Sequence, residues 1–108
     1  MAEPVTTGTI DGRRAPSKKA VLLAAGHALQ FPDWYGANLD ALNDALNDLS
    51  WLPPGEVELV WTHPEAFRLA DPQGYQAVLD TIRAAEKASE HGDRPLRLRM
   101  IARPPGPR

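Results

Sequence analysis

Residues 31–49 read FPDWYGANLDALNDALNDL, and this stretch contains the clearest helix of the chain. At about 100° per residue, the leucines from Leu39 onward fall on one side of a helix, whereas the Asp and Asn side chains fall on the other. Asn38 is a residue type that caps helices well, and a Pro and a Gly interrupt the pattern before it. The stretch therefore predicts an aromatic loop followed by an amphipathic helix over residues 39–49.

Outside this stretch, the pattern of apolar residues predicts three strands and two further helices. Alternating or β-branched runs predict strands over residues 5–10, 57–61 and 96–101. Helical spacing after Ser17, and again after Asp71, predicts one helix before the quoted stretch and one after it. Strands separated by helices favour parallel pairing with right-handed crossovers. The sequence therefore predicts an α/β fold with a three-stranded parallel β-sheet and helices packed around it.

The chain has 108 residues, 43% of them hydrophobic, which is enough for one compact domain and too few for two. We expect the domain to span residues 1–102, followed by a flexible Pro- and Arg-containing tail at residues 103–108. Zero cysteines exclude disulfides and cysteine-based metal sites, and no apolar run reaches the ~20 residues of a membrane span. Because the N-terminus lacks a signal-peptide pattern, the expected location is cytoplasmic.

The formal net charge is only −2, but the charges are unevenly distributed. No Lys or Arg occurs between Lys19 and Arg68, so the seven acidic residues there give −7, while twelve basic and seven acidic residues elsewhere give +5. Such polarity sets up an oriented field. The quoted helix places Asp40, Asp44 and Asp48 four residues apart, and each like-charged pair costs about 0.2–0.5 kcal/mol. A merely solubilising face would mix in basic residues, so their absence favours a surface for a cationic partner.

The quoted stretch also resembles the signature of the barstar family, small intracellular inhibitors of secreted bacterial ribonucleases. The matching string covers residues 31–42, and the order of strands and helices agrees along the whole domain. The resemblance implies that the acidic helix and the loop before it enter the ribonuclease active site, where carboxylates take the places of RNA phosphates. It implies a one-to-one complex with a basic, extracellular-type ribonuclease and a monomer when free. It implies no catalytic residue, metal or cofactor, and no direct contact with nucleic acid or membrane.

By motif position, the resemblance implies that Asp44 is the central phosphate mimic and that Asp40 is its neighbour. The other residues expected at the partner-binding surface are Trp34, Tyr35, Gly36, Asn38, Leu39, Asn43, Asp48 and Asp80. One of the two loop aromatics is expected to plug the core. Gly36, whose backbone can adopt angles that other residues resist, and Asn38 are expected to shape the loop.

Three positions depart from the family pattern. Asn43 and Leu49 stand where well-known members have aromatic residues, although Trp51 is close to the second position. Ala84 stands where an acidic contact is expected on the later helix, and Asp80, one turn earlier, is the candidate replacement. Together the departures imply a ribonuclease surface different from that of the best-known target.

Other classes of function compete with inhibition. An enzyme would need grouped side chains, but His27, His63 and His91 are far apart in sequence and lack a metal-binding spacing. A nucleic-acid-binding module would use the arginines of residues 94–108, but no recognised motif accompanies them. These arginines are Arg94, Arg97, Arg99, Arg103 and Arg108. A further hypothesis keeps the fold and changes the partner, making the chain an immunity protein against a delivered nuclease toxin, or an adaptor for another basic protein.

Overall fold

The computed structural model of the protein describes residues 5–102, which form one three-stranded sheet. Its strands are β1 (Thr6–Asp11), β2 (Val57–Thr62) and β3 (Leu96–Ile101), which are all parallel and lie in the order β1-β2-β3. The predicted three-stranded parallel sheet is therefore confirmed, with strand ends shifted by at most one residue. The tail predicted at residues 103–108 lies outside the described residues.

Four α-helices pack around the sheet or against one another within the described part of the chain, besides one short 3-10 helix (Gly12–Arg14) after β1. They are α1 (Lys18–Ala28), α2 (Leu39–Asp48), α3 (Glu65–Ala70) and α4 (Pro72–Ser89). The predicted helices are α1, α2 and α4, whereas α3 was missed. With six residues and a single buried side chain, that of Phe67, α3 is too short to show a helical repeat of apolar residues.

Each of the three predicted helices begins at the cap residue that the sequence indicates. The side-chain oxygens of Ser17, Asn38 and Asp71 accept hydrogen bonds from the backbone N–H three residues later, at 3.2, 2.8 and 2.9 Å. Because the first N–H groups of a helix have no partner within it, such a cap is worth about 1 kcal/mol. The cap at Asn38 fixes where α2 begins and hence which of its side chains face outward.

The core lies between the sheet and the helices, with α1 packed on β1, α4 on β3, and α2 on α4. Trp61 of the central strand is fully buried, and its ring lies 6.3 Å from Phe67 and 5.6 Å from Tyr75, measured between centroids. At Gly8 a Cβ atom would lie 2.2 Å from the carbonyl oxygen of Ala28, so only glycine lets α1 approach β1 this closely. No helix of the described part is both long and apolar enough to cross a membrane.

Strand β3 is an edge strand, and two side chains of α4 cover part of its free edge. The Ser89 hydroxyl accepts a hydrogen bond from the Leu96 N–H at 2.9 Å. The Glu86 carboxylate accepts one from the Leu98 N–H at 2.6 Å and another from Arg83 at 2.9 Å. Because unpaired N–H groups on a sheet edge invite pairing with other chains, these contacts both fasten α4 to the sheet and protect the edge.

Replacing Glu86 by Ala is expected to lower the free energy of unfolding by about 1–3 kcal/mol, because the N–H of the buried Leu98 loses its partner. Urea unfolding measures the change, and Glu90→Ala, which removes an exposed carboxylate of the same charge, is the matched control. Equal stability of the two variants would contradict a structural role for the Glu86 contact.

Candidate interaction site

The outward side of α2 carries an acidic face, defined by Asp40, Asn43, Asp44, Asn47 and Asp48, all of which are exposed. The opposite side of the helix is buried, as the leucine spacing predicts. None of the ion pairs among the described residues involves a carboxylate of this face. The three carboxylates therefore lie on one helix without a compensating cation among residues 5–102.

Amide side chains lie between the carboxylates of the acidic face. The Asn47 amide donates to the backbone carbonyl of Asn43 at 2.7 Å and to its side-chain carbonyl at 3.0 Å. This arrangement leaves the NH₂ group of Asn43 as a donor pointing away from the pair. Where the family pattern has an aromatic residue, this chain therefore presents a fixed, small polar group.

Both ends of α2 are held by the rest of the chain. At the start, Asn38 caps the helix. At the end, Leu49 adopts a left-handed conformation with φ 52°, and its side chain is 1% exposed. Leu49 is therefore a core residue, and no surface aromatic contact is made from this position. Leu39, predicted at the partner surface, is half-buried and packs against the core.

The expectation that Gly36 provides an unusual backbone angle for the loop is wrong. The left-handed residue is Ala37, with φ 51°, and it is 8% exposed. Holding a non-glycine residue in this region costs on the order of 1 kcal/mol. Space, and not backbone angle, favours glycine at position 36. A Cβ atom there would lie 3.3 Å from the side-chain nitrogen of Asn38, which is a tight contact. Gly36 thus leaves room for the residue that caps α2.

Tyr35 is the loop aromatic that faces inward. Its hydroxyl donates a hydrogen bond to the Leu22 carbonyl of α1 at 2.7 Å, and its ring packs edge-on against Phe31 at 4.6 Å. A Cβ atom at Gly26 would lie 2.9 Å from the Tyr35 ring, so this glycine of α1 makes space for the aromatic side chain. Burial raises the pKa of the Tyr35 phenol to about 12. Tyr35 ties the loop to α1.

Trp34 faces outward, with 52% of its surface exposed. Its ring packs edge-on against that of Trp51, at 6.1 Å between centroids. Trp51 also packs edge-on against Phe31 at 5.8 Å, and its indole N–H donates to the Leu29 carbonyl at 2.9 Å. The sequence placed Trp51 close to the family's aromatic position at Leu49 but gave no sign of its contacts with Phe31 and Trp34. The sequence signal for this cluster is the presence of aromatic residues both before α2 and after it in the chain.

Asp80, the candidate for the missing acidic contact, is exposed on α4. Its carboxylate accepts a hydrogen bond from the Gln76 amide at 2.7 Å, one turn earlier on the same helix. Because α2 packs against α4, the two helices that carry the predicted carboxylates are direct neighbours. Ala84 is also exposed and offers no charge.

The seven acidic residues between Lys19 and Arg68, here called the acidic segment, are distributed over several elements of the fold. Glu56 is paired with Arg97 of β3, and Glu65 lies on α3 with one carboxylate oxygen buried. Only Asp40, Asp44 and Asp48 of the segment's seven acidic residues lie on α2. The acidic surface predicted for a cationic partner therefore consists of the acidic face of α2 and not of all seven residues.

The histidines are separated in the fold as they are in the sequence. They lie on α1 (His27), directly after β2 (His63) and after α4 (His91). Within the described residues, no group of three or more acidic, His or Cys side chains is placed to hold a metal ion. The site is an exposed surface of carboxylates and side-chain amides on α2, and the loop before it carries the exposed indole of Trp34.

These features define a small α/β protein with an acidic helix and an aromatic loop at its surface. The family model described as Barstar (barnase inhibitor) matches residues 5–101. The chain therefore belongs to the barstar family. None of the curated proteins compared with the chain matches it significantly.

Replacing Tyr35 by Phe tests its role in tying the loop to α1. We expect the free energy of unfolding at neutral pH to fall by about 1 kcal/mol, because the hydrogen bond to Leu22 is lost. In the folded protein the phenol stays neutral up to its pKa of about 12, whereas in the unfolded chain it ionises near pH 10. Its contribution to the free energy of unfolding is therefore complete below pH 10 and is lost as the pH rises through 12. The difference between parent and variant should therefore shrink from pH 10 to 12 in denaturant titrations. A constant difference would contradict the assignment.

Proposed function

We propose that the chain inhibits a small, basic, guanyl-specific ribonuclease of the barnase-like class by covering its active site with the acidic face of α2. The observation that carries the proposal is the set of exposed carboxylates on α2, which form no ion pair with the described residues, in a chain of the barstar family. Asp40 and Asp44 are the proposed phosphate mimics, with Asp44 at the centre.

The spacing of the two carboxylates suits this role. Four residues of α-helix rise by about 6 Å, a separation similar to that of neighbouring phosphates along an RNA strand. Carboxylates accept charge-assisted hydrogen bonds from the Arg, Lys and protonated His side chains that hold RNA phosphates. Unlike a phosphodiester, a carboxylate on a helix offers no bond for the ribonuclease to cleave. The enzyme is therefore occupied without turnover.

Rigidity of the surface supports tight binding. Asn38 and the buried Leu49 fix α2 at its two ends, and Tyr35 fixes the loop before it. Because these groups are already ordered in the free protein, complex formation loses less conformational entropy than it would with a mobile segment. Asn38 and Tyr35 thus contribute mainly by positioning their neighbours, whereas Asp40, Asp44 and Trp34 are the proposed direct contacts.

The remaining surface accounts for target choice. Asn43 offers hydrogen-bond donors where an aromatic contact is expected, and Asp48 and Asp80 extend the negative charge beyond the two central carboxylates. A matching ribonuclease would carry acceptors opposite Asn43 and cations near the rim of its active site. The proposed complex is one-to-one, with the inhibitor monomeric and cytoplasmic before binding.

Replacing Asp44 by Ala is expected to raise Kd by at least about a hundredfold. Removing one partner of a buried charge pair costs about 3–5 kcal/mol, because the cations of the ribonuclease remain buried without a partner. The change should lie mainly in the dissociation rate. Inhibition of a panel of small bacterial guanyl-specific ribonucleases measures it, with Glu90→Ala as the charge-matched control. If no enzyme is inhibited, or if Asp44→Ala inhibits as well as the parent, the proposal fails.

Steering by the acidic face predicts an association rate that falls steeply with salt. Attraction between exposed charges is screened over about 8–10 Å at physiological ionic strength. Stopped-flow measurements at increasing sodium chloride should give a steeper decline for the parent than for the double variant Asp40→Asn/Asp48→Asn. Identical salt dependence of the two proteins would remove steering by α2 from the mechanism.

The same panel separates the alternative partners if it includes nuclease toxins. Inhibition of a toxin nuclease but of no secreted ribonuclease would identify an immunity protein, while the role of the acidic face would stand. Binding to a basic protein without inhibition of any nuclease would instead identify an adaptor.

A further inference from the structure

We propose that Trp51 is a positioning residue of the interface: it holds the exposed Trp34 indole beside α2, so that the loop and the acidic face meet the partner as one rigid surface. This inference rests on the proposed function, because it concerns the presentation of a contact residue to the ribonuclease.

Trp51 is itself firmly held. Its indole N–H donates to the Leu29 carbonyl at 2.9 Å, where α1 ends, and its ring packs edge-on against Phe31. It also follows closely on the buried Leu49 at the end of α2, and the Leu52 N–H bonds back to the Leu49 carbonyl at 3.0 Å. Contacts with α1, the loop and the end of α2 therefore leave Trp51 little freedom.

Trp34, in contrast, has few restraints. It is 52% exposed, and within residues 5–102 its indole makes an aromatic contact with Trp51 alone and no hydrogen bond to a protein group. An exposed side chain of this kind would move among rotamers without a neighbour. The edge-on contact with Trp51, at 6.1 Å and 79°, is of the type that aromatic pairs prefer and therefore restrains the Trp34 ring.

The contact also orders the path of the loop. Trp34 precedes α2 and Trp51 follows it, yet the helix between them is about 15 Å long. Phe31 and Trp34 contact Trp51 after the end of α2, whereas Asn38 caps its start, so the loop spans the helix from one end to the other. The pair therefore places Trp34 beside α2, within reach of a partner that covers the helix.

Trp51→Leu and Trp51→Phe test this role in the free protein. Leu removes the aromatic contact with Trp34, whereas Phe keeps a ring; both remove the hydrogen bond to Leu29, so the comparison isolates the ring. The probe is the heteronuclear NOE of the Trp34 indole ¹⁵N–H. We expect a rigid indole in the parent and in Trp51→Phe, and a mobile one in Trp51→Leu. An indole that stays equally rigid in Trp51→Leu would overturn the proposal.

Binding to a ribonuclease inhibited by the parent supplies the second arm. Trp51→Leu should raise Kd about three- to tenfold, and Trp51→Phe should restore most of the loss. In a Trp34→Ala background, Trp51→Leu should have no further effect, because Trp51 acts through Trp34. Additive effects would overturn the proposal. If the parent inhibits no ribonuclease, the proposed function and the binding role of Trp51 both fail, while the NOE still reports whether Trp51 holds Trp34.

Discussion

Burial of the leucine side of α2 is the interaction on which the acidic face depends. Three carboxylates four residues apart destabilise a helix by about 0.2–0.5 kcal/mol for each neighbouring pair. Leu42, Leu46 and Leu49 are at most 1% exposed, and full burial of each contributes about 1.5–3 kcal/mol. The free energy gained by burying the three leucines therefore exceeds the cost of repulsion between the carboxylates several-fold. The protein can hold like charges together on one surface because the same helix is anchored from the opposite side.

A second group of contacts fixes the start of α2 and the loop that precedes it. Asn38 sets the start of α2, Gly36 leaves space for the Asn38 side chain, and Ala37 accepts a strained backbone between them. Tyr35 turns inward to α1 while Trp34 turns outward to Trp51. The two aromatic neighbours in the loop thus have different tasks, and both tasks serve to present the acidic face in one fixed arrangement.

Local features of the structure could be predicted from sequence because they depend on residues near one another in the chain. Examples are the helix-cap residues, the buried and exposed sides of α2, and the alternation of Arg97 and Arg99 with buried leucines in β3. The parallel sheet followed from the order of elements. The short helix α3 could not be predicted, since a single buried residue, Phe67, leaves no repeat to detect.

Features that depend on tertiary contacts could not be predicted from local sequence patterns. The pairing of Glu56 with Arg97 joins residues of different elements, so the charge of the acidic segment could not be mapped onto a surface beforehand. Likewise, the contact between Trp34 and Trp51 depends on the loop running back along α2. The helix of the candidate site was therefore predictable, whereas the shape of the surface around it required the fold.

The central claim is that the acidic face occupies the place of RNA in a ribonuclease active site. Its most direct measurement is the apparent inhibition constant, against an inhibited guanyl-specific ribonuclease, at increasing concentrations of a guanosine 3′-phosphate that binds the same active site. If carboxylates take the phosphate positions, the two ligands exclude each other and the apparent constant rises linearly with the nucleotide concentration from its value without nucleotide. A constant that does not change with the nucleotide would mean that both bind at once, and would contradict phosphate mimicry by α2.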